Sequence, residues 1–373
     1  MPGKVLLIRA VFCVAGLVFA GHAAGQESGP AIHYDRLAAR IVSALKLRQG
    51  ERVLMRTDPA YFSEIVAPLQ QQIRTAGGTA LEPLAVTQIL TTDVVQRADI
   101  FIELPIGELG RQLTAPESAI LVGWLGEGGA RRELHFHWSE GTRRADGLPD
   151  KHPPDFDGLY ESALDIDYGA LDAAQNRAIE ILRLGAARIS TPAGTDLFFR
   201  AGIRPFNKQN GDASGERARS ARVRVDREIE LPAGVLRVAP IEESVFGQIV
   251  IPEARFGTTV VKGLVLQLDN GRITRIRAKE GQEAVEQALA AGGDSAYRFR
   301  EFGLGFNPKL SGSGGALIPY YGYGAGVVRL SLGDNEELGG NVRGSFVRWF
   351  FLPDATVHVD FRYLVRDGKL VRP

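Results

Sequence analysis

Cysteine is almost absent: Cys13 is the one thiol in 373 residues. Neither a disulfide framework nor a cysteine-ligated zinc site can be built from it. Excess charge is missing too, with 44 Lys+Arg against 44 Asp+Glu. That balance removes the broad attraction on which sequence-independent nucleic-acid binding depends. Past the N-terminal segment no apolar run approaches the roughly 18 residues that a membrane span needs, and nothing repeats at a fixed period. The signatures G-x-S-x-G and H-E-x-x-H do not occur, so neither a nucleophile elbow nor a zincin helix can be named. What is present is ordinary globular material, 45% hydrophobic and 24% charged, over a length that suggests about two domains.

The N-terminus carries Lys4 and Arg9 without an acid, then the apolar stretch 11–20, then Ala23 and Gly25 in a −3/−1 arrangement. A charged start, a short apolar centre and a small-residue exit describe an export signal over 1–25. The expected product begins at Gln26 and resides in the periplasm or outside the cell, with no membrane span. Cys13 sits inside the apolar centre, away from the cleavage point, and is not a lipid-anchor cysteine.

Two textures follow. From 26 to 190 helical stripes alternate with short apolar runs, the arrangement of an α/β domain with a mostly parallel sheet. Helices are expected over 34–47, 61–76 and 171–184, with strands at 52–56, 80–84, 100–104 and 120–125. From 191 to 373 short β-branched runs dominate, at 223–225, 247–251, 258–268 and 272–277, with one helix over 282–291. Asp269-Asn270-Gly271 is a strong hairpin turn between two of these runs. This half is expected to be β-rich α+β.

Local patterns offer few chemical groups. His135-Phe-His137 puts two imidazoles on one strand face, as a metal pair requires, but without an evident third ligand. His358-Val-Asp360 has the same geometry with a carboxylate. Glu242-Glu243 follows Pro240 and reads as a solvated turn. Gly322-Tyr-Gly-Ala-Gly326 lacks the flanking strand and helix of a dinucleotide loop.

Longer segments are more specific. Ser190-Thr-Pro-Ala-Gly-Thr-Asp-Leu197, Leu231-Pro-Ala-Gly-Val-Leu-Arg-Val-Ala-Pro240 and Glu301-Phe-Gly-Leu-Gly-Phe-Asn-Pro308 occur in that order. Gly326-Val-Val-Arg-Leu-Ser-Leu-Gly-Asp-Asn335 and Val359-Asp-Phe-Arg-Tyr-Leu-Val-Arg-Asp-Gly368 follow them. Together with Leu45-Lys-Leu-Arg-Gln-Gly-Glu-Arg-Val-Leu54, they resemble the aminopeptidase T/AmpS metallo-aminopeptidases (peptidase family M29). The resemblance implies an aminopeptidase T-like two-domain architecture, usually a homodimer, with a two-metal site in the second domain. Matched residue by residue, four of the five metal-ligand positions hold Val235, Arg329, Val347 and Trp349, and Glu301 alone is retained. Valine, tryptophan and a protonated arginine donate nothing to a cation.

The resemblance therefore implies a degenerate metal site in a relative that binds a small molecule or peptide rather than cleaving one, without a cofactor. Glu301 is expected to pair with Arg329, while Arg348 and Arg237 make the pocket cationic and suited to a carboxylate-bearing ligand. The alternative is an active hydrolase in which Glu301, His358 and Asp360 hold one divalent ion, Zn, Co or Mn.

Overall fold

A computed structural model describes residues 32–311 and 317–371. The expected export signal lies outside the described residues.

The first half is built on a parallel sheet whose strands run in the order Glu228–Leu231, Arg132–Phe136, Ile100–Glu103, Arg52–Thr57, Thr79–Ala80. The short Leu84–Ala85 also pairs with Arg52–Thr57. Strand periodicity assigns the two faces. Val53, Met55, Ile100, Ile102, Leu134 and Phe136 point one way, onto Leu37 and Ile41 of helix Tyr34–Leu45 and Leu69 and Ile73 of helix Val66–Thr75. Leu54 and Phe101 point the other way, onto Leu121, Trp124 and Leu125 of helix Ala115–Gly126.

Three expectations change here. The apolar run 120–125 is not a strand but the interior of helix Ala115–Gly126, which a capping box between Thr114 and Glu117 starts firmly. The run is apolar on all sides, so periodicity could not distinguish the two. The segment 80–84 divides into two short parallel pairings, Thr79–Ala80 and Leu84–Ala85. The run 223–225 is not a strand either: a short 3-10 turn, Arg224–Arg227, leads into Glu228–Leu231. This last strand comes from the second half of the chain yet forms the edge of the first sheet beside Arg132–Phe136.

The second half holds two antiparallel sheets. The smaller runs Val347–Leu352, Val328–Gly333, Phe299–Gly305, Val235–Val238, Asn207–Lys208. The larger has eight strands, seven from the second half and Ala186–Ser190 from the end of the first, with Phe246–Phe256 and Thr259–Asp269 as its longest hairpin and the strands from Thr356 on at one end. The helix Gln282–Ala291 packs Val285 and Leu289 into the core. One continuous apolar cluster runs from Leu37 and Ile102 through Leu231 and Val235 to Val365. No helix among the described residues is long and apolar enough to cross a membrane.

The hairpin turn has left-handed φ at both Asn270 (49°) and Gly271 (69°), the conformation that favours Asn-Gly. A Cβ on Gly271 would lie 2.4 Å from the Glu242 carbonyl oxygen. Gly271→Ala is therefore expected to destabilise the fold by more than about 1 kcal/mol, measurable as a lowered thermal midpoint. Asn270→Gly is expected to change it little.

Candidate functional site

The small antiparallel sheet and the carboxyl end of the parallel sheet meet at a cavity of about 540 Å³. His135, His137, Glu228 and Glu230 line it from the parallel sheet. Arg237, Arg300, Glu337, Val347, Arg348 and Trp349 line it from the second half, and Arg143 and Gly147 come from the loop between. Open parallel sheets place ligands at the carboxyl ends of their strands.

Glu301 lies fully buried beside this cavity. Arg237 donates to its Oε2 through Nε (3.1 Å) and Nη2 (2.8 Å). Arg300 Nη1 donates to the same oxygen, and Arg329 Nε stands 2.9 Å from Oε1, paired in charge but not aligned for a hydrogen bond. Burial alone would raise the Glu301 carboxyl, but Arg237, Arg300 and Arg329 outweigh it and hold the group far below the carboxylate range. Glu337 shares the arginines, accepting from Arg237 Nη2 at 2.7 Å and Arg224 Nη2 at 3.2 Å and from Arg300. Burial opposes ionisation there too, yet the arginines bring Glu337 down to about 2.

Local backbone explains how neighbouring residues converge. The strand pairing slips between Phe299 and Glu301, and such a bulge turns successive side chains toward one side, so Arg300 reaches the carboxylate of its own neighbour. Opposite Arg329 in the ladder is Gly303, where even a Cβ would come within 3.3 Å of the arginine side chain. Arg329 then lies across Trp349 (5.4 Å) and Tyr323 (5.7 Å) as a cation over π faces. Arg143 lies over Tyr321 (4.6 Å) and Trp349 (5.4 Å) and makes no ion pair among the described residues. Tyr320 and Tyr321 both hold positive φ, 38° and 50°, a costly backbone state that recurs at functional sites. Around the cavity, the buried nitrogens Arg143 Nε, Arg348 Nε and Trp349 Nε1 have no hydrogen-bond partner.

The parallel sheet contributes a different set. Its register places Arg56, Glu103, His135 and Glu230 in one row across four strands, and Glu133 and Glu228 together one row back, on the same face. Arg56 Nη1 donates to Glu103 Oε1 at 2.7 Å, and Tyr323 Oη donates to Glu230 Oε2. His135 stands between two acids, with Nδ1 3.5 Å from Glu103 Oε2 and Nε2 3.4 Å from Glu133 Oε1. Its ring stacks on His137 at 5.3 Å. Burial pushes the Glu133 carboxyl up to about 8, against the pull of His135. Burial would depress His135, but Glu133 and Glu103 hold it up at about 10. Glu103, despite burial, is drawn down to about 2 by His135 and Arg56.

The residues expected at the site are thus distributed as follows. Arg237, Val347, Arg348 and Trp349 line the cavity, with Arg329 and Glu301 packed behind it. Val235 is buried in its strand opposite Gly305 and is not part of the lining. The alternative set of Glu301, His358 and Asp360 is not brought together. His358 and Asp360 belong to the Thr356–Val359 end of the eight-stranded sheet, where His358 Nδ1 is bonded to the Asp360 carbonyl oxygen (2.8 Å) and its ring packs on Tyr363. Glu301 is in the other sheet with its oxygens taken by arginines. Glu242 proves buried rather than solvated, holding Arg204, Asn335 and the Asn341 N–H. The sequence did not point to Arg300, Glu337, Glu228, Glu230 or Arg143 around Glu301 and the cavity, nor to Glu103 and Glu133 beside His135. Only the period-two spacing Glu133-x-His135-x-His137 at the end of an apolar strand could have signalled any of this.

Glu301 has cationic nitrogens at both oxygens, and the side chains of Val235, Arg329, Val347 and Trp349 carry no donor for a cation.

No family model matches the chain, and no curated protein matches it by sequence. Solved structures do share the fold. AmpT from Thermus thermophilus superposes with a TM-score of 0.61 at 14% identity, over 91% of this chain and 99% of that one. The chain is a distant structural relative of that aminopeptidase. 2,5-Dihydroxypyridine dioxygenase from Pseudomonas putida KT2440 gives 0.62 at 16% identity, over 91% and 96%. Likeness at these identities establishes a mixed α/β, aminopeptidase-like fold and leaves the chemistry to the site itself.

Proposed function

We propose that this is an exported binding protein on an aminopeptidase-like scaffold, whose cavity takes a small carboxylate-bearing molecule or peptide and does not use the paired metal ions of the family it resembles. The observation that carries this reading is the enclosure of Glu301 by Arg237, Arg300 and Arg329. A carboxylate so neutralised has no charge left to offer a dication, and displacing three guanidinium groups from a buried site would leave them unpaired at high cost. The unpartnered nitrogens of Arg143, Arg348 and Trp349 support an acceptor-rich ligand, since guanidinium groups bind carboxylates through charge-assisted hydrogen bonds.

The test is calorimetry of the metal-free chain, in chelator, against a panel of dicarboxylates, amino acids and dipeptides. Saturable binding is expected, weakened at least tenfold in Arg143→Ala and in Arg348→Ala. Aminoacyl and dipeptide substrates are expected to remain intact with Zn, Co or Mn added. Metal-dependent hydrolysis that disappears in Glu301→Gln would replace this reading with a peptidase.

A further inference from the structure

We propose that Glu103, Glu133 and His135 bind one divalent cation at the carboxyl end of the parallel sheet, beside the cavity that the arginines line. This site shares no residue with the ligand positions matched to the metallo-aminopeptidases.

Geometry comes first. One ligand atom from each of the three residues can be chosen so that all lie within 4.8 Å of one another. The acids flank opposite ring nitrogens, so one ion takes only one of those nitrogens. Through Nε2, Glu133 Oε1 stands 3.4 Å away, the spacing of about 3.4 Å between two donors on a tetrahedral ion with bonds of roughly 2.1 Å. Glu103, 3.5 Å from Nδ1, must turn from that nitrogen to complete the set. One ring nitrogen and one oxygen from each acid make a three-donor set, mixed imidazole and carboxylate, as zinc, cobalt or manganese accepts. The donors sit on two adjacent parallel strands in fixed register, Glu103 directly beside His135. Strand placement holds ligands more firmly than loops do.

The second observation is independent of the clustering. Glu133 is 2% exposed, and its Oε1, turned toward His135, accepts no hydrogen bond. The other acids on this face have partners: Glu103 has Arg56, Glu228 has Arg224, and Glu230 has the Tyr323 hydroxyl. Among the described residues Glu133 has only the imidazole of His135. A buried carboxyl oxygen without a hydrogen-bond partner is costly, and a bound cation would supply the missing partner. His135 opens onto the cavity, so an ion there keeps a face for water or ligand. It would also make the acidic wall positive, in keeping with a carboxylate-bearing ligand.

The test uses the full chain, stripped of metal, titrated with Co²⁺ alone. One saturable Co²⁺ per chain is expected, with visible absorption of a low-symmetry imidazole–carboxylate site. Glu133→Gln and His135→Gln should each weaken it at least tenfold, while His358→Ala leaves it unchanged. Crystals soaked in Zn²⁺ should give an anomalous peak within bonding distance of all three residues, which decides the matter even where a variant does not fold. No stoichiometric uptake, uptake indifferent to both variants, uptake lost only in His358→Ala, or a soaked crystal without that peak would each overturn the proposal. Carboxylate binding is measured in chelator, so the two readings can fail separately.

Discussion

Glu301→Ala is expected to lower the free energy of unfolding by about 3–5 kcal/mol, the scale for breaking a buried ion pair by removing one partner. The reason lies in what remains. Arg237, Arg300 and Arg329 are all at least 94% buried, and without the carboxylate only Glu337 is left to face the first two. Arg329 would have no acid at all among the described residues. Urea unfolding of the variant, compared with Glu301→Gln, checks this: the amide keeps the volume and some hydrogen bonds but loses the charge, so it should recover only part of the loss. If both variants unfold like the parent, Glu301 is not the electrostatic centre described above. The same experiment in added metal has a second use, since a metal-binding Glu301 would make the loss depend on the ion.

Acid should destabilise the fold through the same cluster. Glu301 and Glu337 have carboxyls lowered in the folded state, Glu337 to about 2. A depressed folded value means that the unfolded chain takes up protons first as pH falls. The stabilisation is therefore complete above the ordinary glutamate range near 4.5 and drains away as pH drops toward 2. Glu337 alone accounts for roughly 3 kcal/mol, from about 1.4 kcal/mol per unit, and Glu301 continues the loss at still lower pH. Unfolding free energy measured from pH 6 to 2 should fall steeply below about 4.5, and the slope should flatten in Glu337→Gln. An unchanged slope in that variant would remove Glu337 from the account.

The sequence made some of this legible and hid the rest for identifiable reasons. The helices expected over 34–47, which ends at Leu45 in the structure, and over 282–291, the parallel sheet of the first half and the Asn270-Gly271 hairpin follow from local periodicity and turn chemistry, which depend on neighbours a few residues apart. Helix Ala115–Gly126 was misread because its apolar run carries no period. The association of Glu301 with Arg329 was legible from aligned segments, but Arg300 was not, because alternation puts neighbours on opposite faces and only a bulge reverses that. The row Arg56, Glu103, His135 and Glu230 was hidden most deeply. Its members come from four strands, the last nearly a hundred residues after its neighbour, and register between distant strands is not written in any local window.

That late-arriving strand has a consequence for how the chain can be cut or made. Until Glu228–Leu231 docks, the strand Arg132–Phe136 presents an open row of backbone donors and acceptors, the kind of edge that recruits foreign chains. A fragment stopped at residue 190 would keep that edge bare and would lack Glu228 and Glu230 altogether. During synthesis the first sheet stays incomplete until well over half the polypeptide has emerged, which favours late, long-range closure over early independent folding of the N-terminal portion.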